Sequence, residues 1–290
     1  MKVCIFGAGA LGGHLAAHLI AANQAEVAVV GRGPNLAAIH ERGITLNIAG
    51  RDIGGKPAVA TDNPASLPSQ DIVFVSLKAH TLPSAAEAIG KLVKPEGTVV
   101  FLLNGIPWWL NHGLPGAKGT LPLLDPDSRL WNNVQPERVI GSVVYSPNEM
   151  VTPGRIMHTG ANKWVFGEPD LSQSARLKVV CDLVRGAGIE TEASPDIRRE
   201  LFRKLANNAS NNTLCALTRL DSAGVANDDG LVRLSMGIIS ESLAVAAKLG
   251  GGEAPGVLAG VQDSAVRGFQ QADDGAAQGG FAGTGFADDA

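Results

Sequence analysis

One ammonium and two carboxamides recur at four-residue intervals late in the chain. They belong to Lys204, Asn208 and Asn212, within residues 196–217, a stretch that contains neither glycine nor proline. If the stretch is helical, successive members drift by only about 40° and share one face. An ammonium can polarise a carbonyl and donate a proton, and a carboxamide can hydrogen-bond the polar groups of a ligand. The spacing therefore indicates a helix face capable of chemistry.

The low helix propensity of this segment also favours a functional role for it. Asparagine is a poor helix former, yet the segment contains four, at positions 207, 208, 211 and 212. The alternative is a polar face exposed to water. Leu201, Leu205 and Leu214 nearby indicate a helix packed into the protein instead.

A second chemical signature lies at the start of the chain. Residues 7–12 read Gly-Ala-Gly-Ala-Leu-Gly, directly after a short apolar run and before apolar residues of helical period. In this strand-turn-helix context the first glycine makes the turn, the second admits a pyrophosphate and the third lets helix pack on strand. The pattern predicts a dinucleotide site.

The end of the second predicted strand bears on which dinucleotide is bound. An NAD site would place Asp or Glu there to bind the ribose 2′-hydroxyl, but the chain reads Val29-Val30-Gly31-Arg32. A guanidinium can pair with a 2′-phosphate, which favours NADPH. The alternative is that Arg32 is a solvated turn residue.

Two further polar side chains follow predicted strands. Lys78 ends the third strand and Asn104, followed by Gly105, ends the fourth. Ligands of open parallel sheets bind outside the carboxyl ends of the strands, so both residues are candidates. An exposed lysine and an ordinary Asn-Gly turn are the simpler interpretations.

The elements that must position these residues follow from apolar runs. Continuous strands are predicted at 2–6, 26–30, 71–77, 97–103, 139–145 and 163–167, with helical stretches at 84–92, 177–187 and 231–249. Strands that alternate with helices predict an α/β fold, a Rossmann-type doubly wound parallel sheet, followed by a mainly helical second domain.

Composition narrows the class of partner. The 290 residues are 45% hydrophobic and carry a formal charge of -4, so the net charge gives no sign of binding to nucleic acid or anionic lipid. Three widely spaced cysteines predict buried thiols in a reducing, cytoplasmic compartment and no metal site. Residues 3–22 are apolar, but glycines and two histidines argue against a membrane anchor.

Together these features resemble the ketopantoate reductase family over about residues 1 to 250. The resemblance rests on the glycine loop with Arg32, Lys78-Ala79, Asn104-Gly105, Pro153-Gly154 with His158, and Lys204-Leu205 followed by Asn208 and Asn212, in order and at similar spacing. It implies a Rossmann domain and a helical domain with the active site in the cleft between them. The implied reaction is reduction of a 2-oxo acid, 2-dehydropantoate, by NADPH.

The resemblance also implies individual roles. Lys204 is the general acid and Asn104 orients the substrate near the nicotinamide. Asn208 and Asn212 bind the substrate, and Lys78 lies by the cofactor and the substrate carboxylate. The implied cofactor contacts are Gly7, Gly9, Ala10, Leu11, Gly12, Arg32, Lys78 and Asn104.

The predicted organisation is an NADPH-binding domain at 1–170, a substrate domain at 171–258 and an atypical tail at 259–290. The tail lacks helical periodicity and the acidic residue that the family carries there, which suggests disorder, truncation or a reading-frame artefact. The bulky segment Ile106-Pro107-Trp108-Trp109, directly after Asn104-Gly105, could reshape the substrate pocket, although tryptophans more often pack.

Several alternatives stay open. The chain could be a catalytically silent NADPH-binding protein, a reductase of a different 2-oxo acid, or another Rossmann dehydrogenase. The last does not predict the register of Lys204 with its two asparagines. The oligomeric state is also open, with a homodimer as one candidate.

Overall fold

A computed structural model describes residues 1–117 and 119–249 of the chain. The chain divides into two compact units, Met1–Leu201 and a second that begins at Phe202. The strands of the first unit are β1 (Lys2–Phe6), β2 (Glu26–Val30), β3 (Ile44–Ile48), β4 (Arg51–Gly55), β5 (Val59–Thr61), β6 (Gln70–Val75), β7 (Val93–Phe101), β8 (Val139–Tyr145), β9 (Asn148–Thr152), β10 (Arg155–His158), β11 (Lys163–Gly167) and β12 (Glu190–Ala193).

The described residues also form eight α-helices. They are α1 (Ala10–Ala22), α2 (Gly33–Arg42), α3 (Leu82–Leu92), α4 (Arg129–Asn133), α5 (Ala175–Gly186), α6 (Ile197–Thr218), α7 (Ser222–Ala226) and α8 (Asp229–Lys248). Helix α6 begins in the first unit and continues into the second.

The main sheet has eight strands in the order β12-β11-β8-β7-β6-β1-β2-β5. The six from β8 to β5 are parallel, and their order is that of a doubly wound dinucleotide fold. The prediction of a doubly wound parallel sheet is confirmed. Strand β11 departs from it by running antiparallel to β8.

The sheet is buried on both faces along its central strands because these carry continuous apolar runs. In β1, Val3 and Ile5 belong to the core cluster on one side, and Cys4 and Phe6 to the cluster on the other. Alternate side chains of a strand point to opposite faces, so a continuous apolar run is what a sheet covered on both sides requires. Burial of each such side chain contributes about 1.5–3 kcal/mol.

A second sheet was not predicted from the sequence. It has four strands in the order β4-β3-β10-β9, with β3 and β10 parallel and the other pairs antiparallel. Its strands are short and largely polar, and they carry no continuous apolar run. Pro153 and Gly154 form the turn between β9 and β10, and Gly154 has the φ of +76° that favours glycine there.

The division between units lies later than the predicted boundary at residue 170. Strand β12 pairs with β11, and α5 packs its buried face into the cluster that covers one side of the main sheet. Both elements therefore complete the first unit, which ends at Leu201. The predicted tail at 259–290 lies outside the described residues.

The described part of the second unit is helical, as predicted. Helix α6 packs against α8 through the buried hydroxyls of Ser210 and Ser235, whose oxygens lie 2.5 Å apart. Asn211 donates to the Ser222 hydroxyl at 2.9 Å, which joins α6 to α7. One of the four asparagines in α6 thus has a packing role.

Helix α8 is long and apolar enough to cross a membrane, with 20 residues and a mean hydropathy of 1.4 in its most apolar window. A core helix of a globular domain passes the same test, so one such helix is weak grounds for a membrane span.

Candidate active site

The register of the main sheet brings the predicted cofactor residues to one edge. Phe6 lies between Val30 and Val75, and Val75 lies beside Phe101, so four strands end level with one another. The segments that follow these four residues carry the glycine loop, Arg32, Lys78 and Asn104. This edge includes the point between β1 and β6 where the strand order reverses, at which doubly wound folds bind their ligands.

Each of the three glycines in the loop is required, or tolerated, for a different steric reason. Gly7 has φ +104°, and a Cβ on it would lie 3.0 Å from the Ser76 carbonyl oxygen. A Cβ on Gly12 would lie 2.0 Å from the Gly7 carbonyl oxygen, so α1 can pack against the turn only without a side chain. A Cβ on Gly9 would meet no described atom within 4 Å.

The open space at Gly9 is where a pyrophosphate would pass. Gly9 caps the 13-residue helix α1, whose first turn has no acidic residue and no side-chain cap among the described residues. The backbone N–H groups of that turn, including those of Ala10, Leu11 and Gly12, are therefore available to an anion, which the helix dipole also favours. A tight turn, an open cradle and an uncapped helix N-terminus fit a dinucleotide.

Arg32 lies at the N-terminus of α2, directly after the end of β2. Its backbone is extended, with φ −148° and ψ 167°, and its side chain is exposed. Within the described part of the chain its guanidinium makes no hydrogen bond or ion pair. A charged group presented in this way can pair with a phosphate on the adenosine ribose.

Lys78 and Asn104 are both exposed at the same edge. Lys78 precedes a short 3-10 helix at Ala79–Thr81, and its carbonyl accepts a hydrogen bond of 2.8 Å from the Thr81 hydroxyl. Asn104 is followed by Gly105 at φ +91°, which turns the chain sharply after β7. The local backbone therefore holds both side chains at the strand ends.

Lys204 lies on α6, and the predicted helix through Asn208 and Asn212 is confirmed. Lys204 and Asn208 are half-buried, and Asn212 is exposed. Burial lowers the pKa of Lys204 to about 8. At neutral pH the side chain is still mainly protonated, but it releases its proton far more readily than an exposed lysine.

Two family models match the chain. The description "Ketopantoate reductase PanE/ApbA" matches residues 3–170, and "Ketopantoate reductase PanE/ApbA C terminal" matches residues 196–274. The chain belongs to the ketopantoate reductase family. It is accordingly an oxidoreductase that acts on CH–OH groups with a nicotinamide cofactor.

Named relatives agree with the family assignment. The chain is 38% identical over 252 residues to a 2-dehydropantoate 2-reductase of Mesorhizobium japonicum, covering 86% of this chain and 77% of the relative. A PanE/ApbA family ketopantoate reductase of Ralstonia eutropha JMP134 superposes with a TM-score of 0.73 at 25% identity, covering 92% of this chain and 81% of that one. D-mandelate dehydrogenase with NADH and anilino(oxo)acetate shares the fold, with a TM-score of 0.74 at 21% identity, covering 91% and 80%.

The C-terminal match extends further than the resemblance seen in the sequence. The sequence resemblance covers residues up to about 250, whereas the family model continues to residue 274. The same match contains the whole of α8, which favours a domain helix over a membrane span.

The two tryptophans that follow Asn104 lie in the core of the first unit. Trp108 and Trp109 are 2% and 1% exposed and belong to the core on one side of the main sheet. A Cβ on Gly141 would lie 2.8 Å from the Trp109 ring, so β8 has a glycine to receive it. The two tryptophans of the segment Ile106-Pro107-Trp108-Trp109 therefore serve packing. Ile106, just before them, is the exposed apolar residue.

The first turn of α6 is anchored by a residue that sequence reasoning missed. Arg198 is 1% exposed, and its guanidinium donates to the carbonyl oxygens of Leu110, His112 and Pro169. A buried guanidinium is tolerated only when its N–H groups find such acceptors. Nothing in the sequence distinguished Arg198 from its exposed neighbour Arg199.

His14 and His18 of α1 form a buried cluster with His158 of β10. The His14 ring lies 4.7 Å from His18, 5.0 Å from His158 and 5.9 Å from Trp164, between centroids. His18 Nδ1 lies 2.8 Å from the Ala187 carbonyl oxygen. Burial lowers the pKa of all three histidines, and that of His14 falls to about 3. The cluster is therefore neutral at physiological pH.

Proposed function

We propose that this chain reduces 2-dehydropantoate, or a 2-oxo acid of similar size, with NADPH, and that Lys204 donates the proton. The observation that carries the proposal is the pKa of Lys204, lowered to about 8 by burial, on a helix face that also bears Asn208. The relative of Mesorhizobium japonicum is named for this reaction, which supports the substrate class.

The preference for NADPH rests on the residues at the end of β2. Arg32 supplies an exposed guanidinium, and no carboxylate stands at the end of the strand to repel a 2′-phosphate. Gly7, Gly9 and Gly12 hold the pyrophosphate against the first turn of α1. When bound, the nicotinamide supplies a hydride to the carbonyl carbon.

The proton comes from the chain itself. The Lys204 ammonium polarises the ketone oxygen and gives up a proton as negative charge develops there. Because the desolvated ammonium is more acidic than an exposed lysine, it transfers this proton at smaller cost. A primary amine then remains, and it recovers a proton from solvent.

The other polar residues orient the substrate. Asn208 and Asn212 hydrogen-bond its polar groups, and Asn104 orients it near the nicotinamide. Lys78 pairs with its carboxylate or with the cofactor, since an ammonium at the strand edge attracts both anions. The first unit thus serves as the cofactor domain and the second as the substrate domain.

The test is NADPH oxidation, followed by absorbance, with 2-dehydropantoate and a panel of 2-oxo acids. Replacing Lys204 by Ala should lower kcat by roughly 10²–10⁴-fold, because one positioned general acid is lost. The dissociation constant for NADPH should be unchanged. Lys91→Ala is the matched control, since Lys91 is an exposed lysine of α3 paired with Glu87.

Each result discriminates among the alternatives. NADPH binding without turnover of any acid would contradict the proposal and favour a catalytically silent binding protein. Turnover of another acid in preference to 2-dehydropantoate would change the substrate and keep the mechanism. Full activity of the Lys204→Ala protein would refute the assignment of the proton donor.

A further inference from the structure

One amide side chain joins three separate parts of the first unit. Asn35 lies in the first turn of α2, three residues after Arg32. Its Nδ2 donates to the Ala8 carbonyl oxygen at 2.7 Å, and its Oδ1 accepts from the Gly154 N–H at 2.8 Å. Both ends of the carboxamide are therefore used, and each bond reaches a backbone group distant in sequence.

The first of these bonds fixes the glycine loop. Ala8 stands between Gly7, which makes the turn, and Gly9, which leaves the space for a pyrophosphate. The end of β2 supports the same loop, since the Gly7 N–H donates to the Val30 carbonyl at 2.9 Å. Asn35 adds a second tie from beyond Arg32, so the segment that carries Arg32 is held to the loop on both sides.

The second bond fixes α2 to the small sheet. The Gly154 carbonyl accepts from the Thr45 N–H at 2.8 Å, which ties the turn between β9 and β10 to β3. Asn35 thus rests on a turn that is itself held in place. A carboxamide is the group this position needs, because it must donate to a carbonyl and accept from an N–H at once.

We propose that Asn35 is a positioning residue that sets the distance between the pyrophosphate loop and Arg32, and thereby the preference for a 2′-phosphorylated dinucleotide. The inference rests on the proposed function, in which the loop and Arg32 hold the two phosphate-bearing parts of one NADPH. The Asn35 side chain does not need to contact the cofactor itself. Its effect is to let both contacts form together without a rearrangement of α2.

The experiment compares the affinity for NADPH with that for NADH, measured by calorimetry without substrate. Asn35→Asp keeps the acceptor for Gly154 but turns a carboxylate oxygen toward the Ala8 carbonyl. Asn35→Ala removes both bonds and adds no charge. A fall in preference shared by both variants therefore comes from lost positioning and not from repulsion. Asn133→Ala is the control, since Asn133 is exposed and its amide donates only to the Arg129 carbonyl among the described residues.

Both Asn35 variants should bind NADPH roughly tenfold more weakly, about the value of one or two hydrogen bonds. Binding of NADH should weaken less, by about twofold, because NADH depends on the glycine loop that Asn35 supports but not on Arg32. The Asn133→Ala protein should match the wild type.

The outcomes separate this inference from the proposed function. Wild type that prefers NADPH, together with Asn35 variants that keep the same ratio of affinities, overturns the inference alone. An equal loss for both cofactors overturns it too, because it shows a merely structural role. Wild type without a preference for NADPH contradicts the proposed use of Arg32 and, with it, this inference.

Discussion

Acidification should unfold this protein at milder pH than its carboxylates alone would require, because His14 is held neutral inside the first unit. Neither ring nitrogen of His14 makes a well-formed hydrogen bond to a described residue. Its pKa is lowered to about 3, mainly by burial and also by the neighbouring His18 and His158, while the side chains of Asn148 and Asn162 offset part of the drop.

The size of the effect follows from linkage. The pKa of His14 is about 3 in the folded state, against 6.5 for a free histidine. Between these values the unfolded chain binds the proton and the folded chain does not, so stability is lost as pH falls below 6.5. From pH 8 to pH 5 the loss is about 2 kcal/mol, and below pH 3 it reaches about 5 kcal/mol. His18 and His158 act in the same direction.

The assay is urea unfolding of the cofactor-free protein at several values between pH 5 and pH 8. The carboxyl groups whose pKa is lowered, such as Asp71 and Asp182, titrate below this window and do not obscure it. His14→Leu should lose about 2 kcal/mol less than wild type across the range. It should be no less stable at pH 8, since no strong hydrogen bond is removed.

A second variant serves as a control for the general effect of removing a histidine. His40 is exposed on α2, so His40→Gln controls for the loss of an imidazole at the surface. If His14→Leu keeps the full pH dependence of the wild type, the buried ring is not the source and the reasoning fails.

Three further predictions concern the loop, the anchored helix and the proton donor. Gly9→Ala should keep the thermal stability of wild type but lose cofactor affinity, whereas Gly12→Ala should lose both; equal melting temperatures would contradict the steric argument. Arg198→Met should lower the free energy of unfolding by about 4 kcal/mol in urea titrations, because buried carbonyls lose their donors, and a loss under about 1 kcal/mol would refute this. If protonated Lys204 is the proposed acid, kcat/KM for ketone reduction should fall as pH rises through about 8, and a flat profile from pH 6 to 10 would refute that role.

The strands of the main sheet could be predicted because they are apolar on both faces. Strands β1, β2, β8 and β11 match the predicted bounds, since each is a short continuous apolar run between turn residues. Strand β12 could not be recognised in the same way, because Glu-Thr-Glu-Ala is a polar edge strand. Helix α2 is hard to predict because Gly33 and Pro34 at its start are also typical of turns, although proline is common in the first turn of a helix.

Only the parts of the candidate site that depend on residues close in sequence could be predicted. The glycine loop and Arg32 follow from residues adjacent in sequence, and the face of Lys204 follows from helical period. Arg198 binds backbone carbonyls up to 88 residues away in sequence, and Asn35 accepts from a backbone N–H 119 residues away. Their shorter bonds, to Pro169 and Ala8, still span 29 and 27 residues. No local pattern encodes a partner at such distance, so only the folded chain could reveal them.

The pairing of β3 with β10 has a consequence for synthesis on the ribosome. The hairpin of β3 and β4 is complete by Gly55, but β10 begins at Arg155, about 100 residues later. At ordinary elongation rates the nascent hairpin waits roughly 5 to 20 seconds with one edge of β3 unpaired. An open strand edge is a template for pairing with other chains, so the interval before β10 emerges is the period in which β3 is open to such pairing.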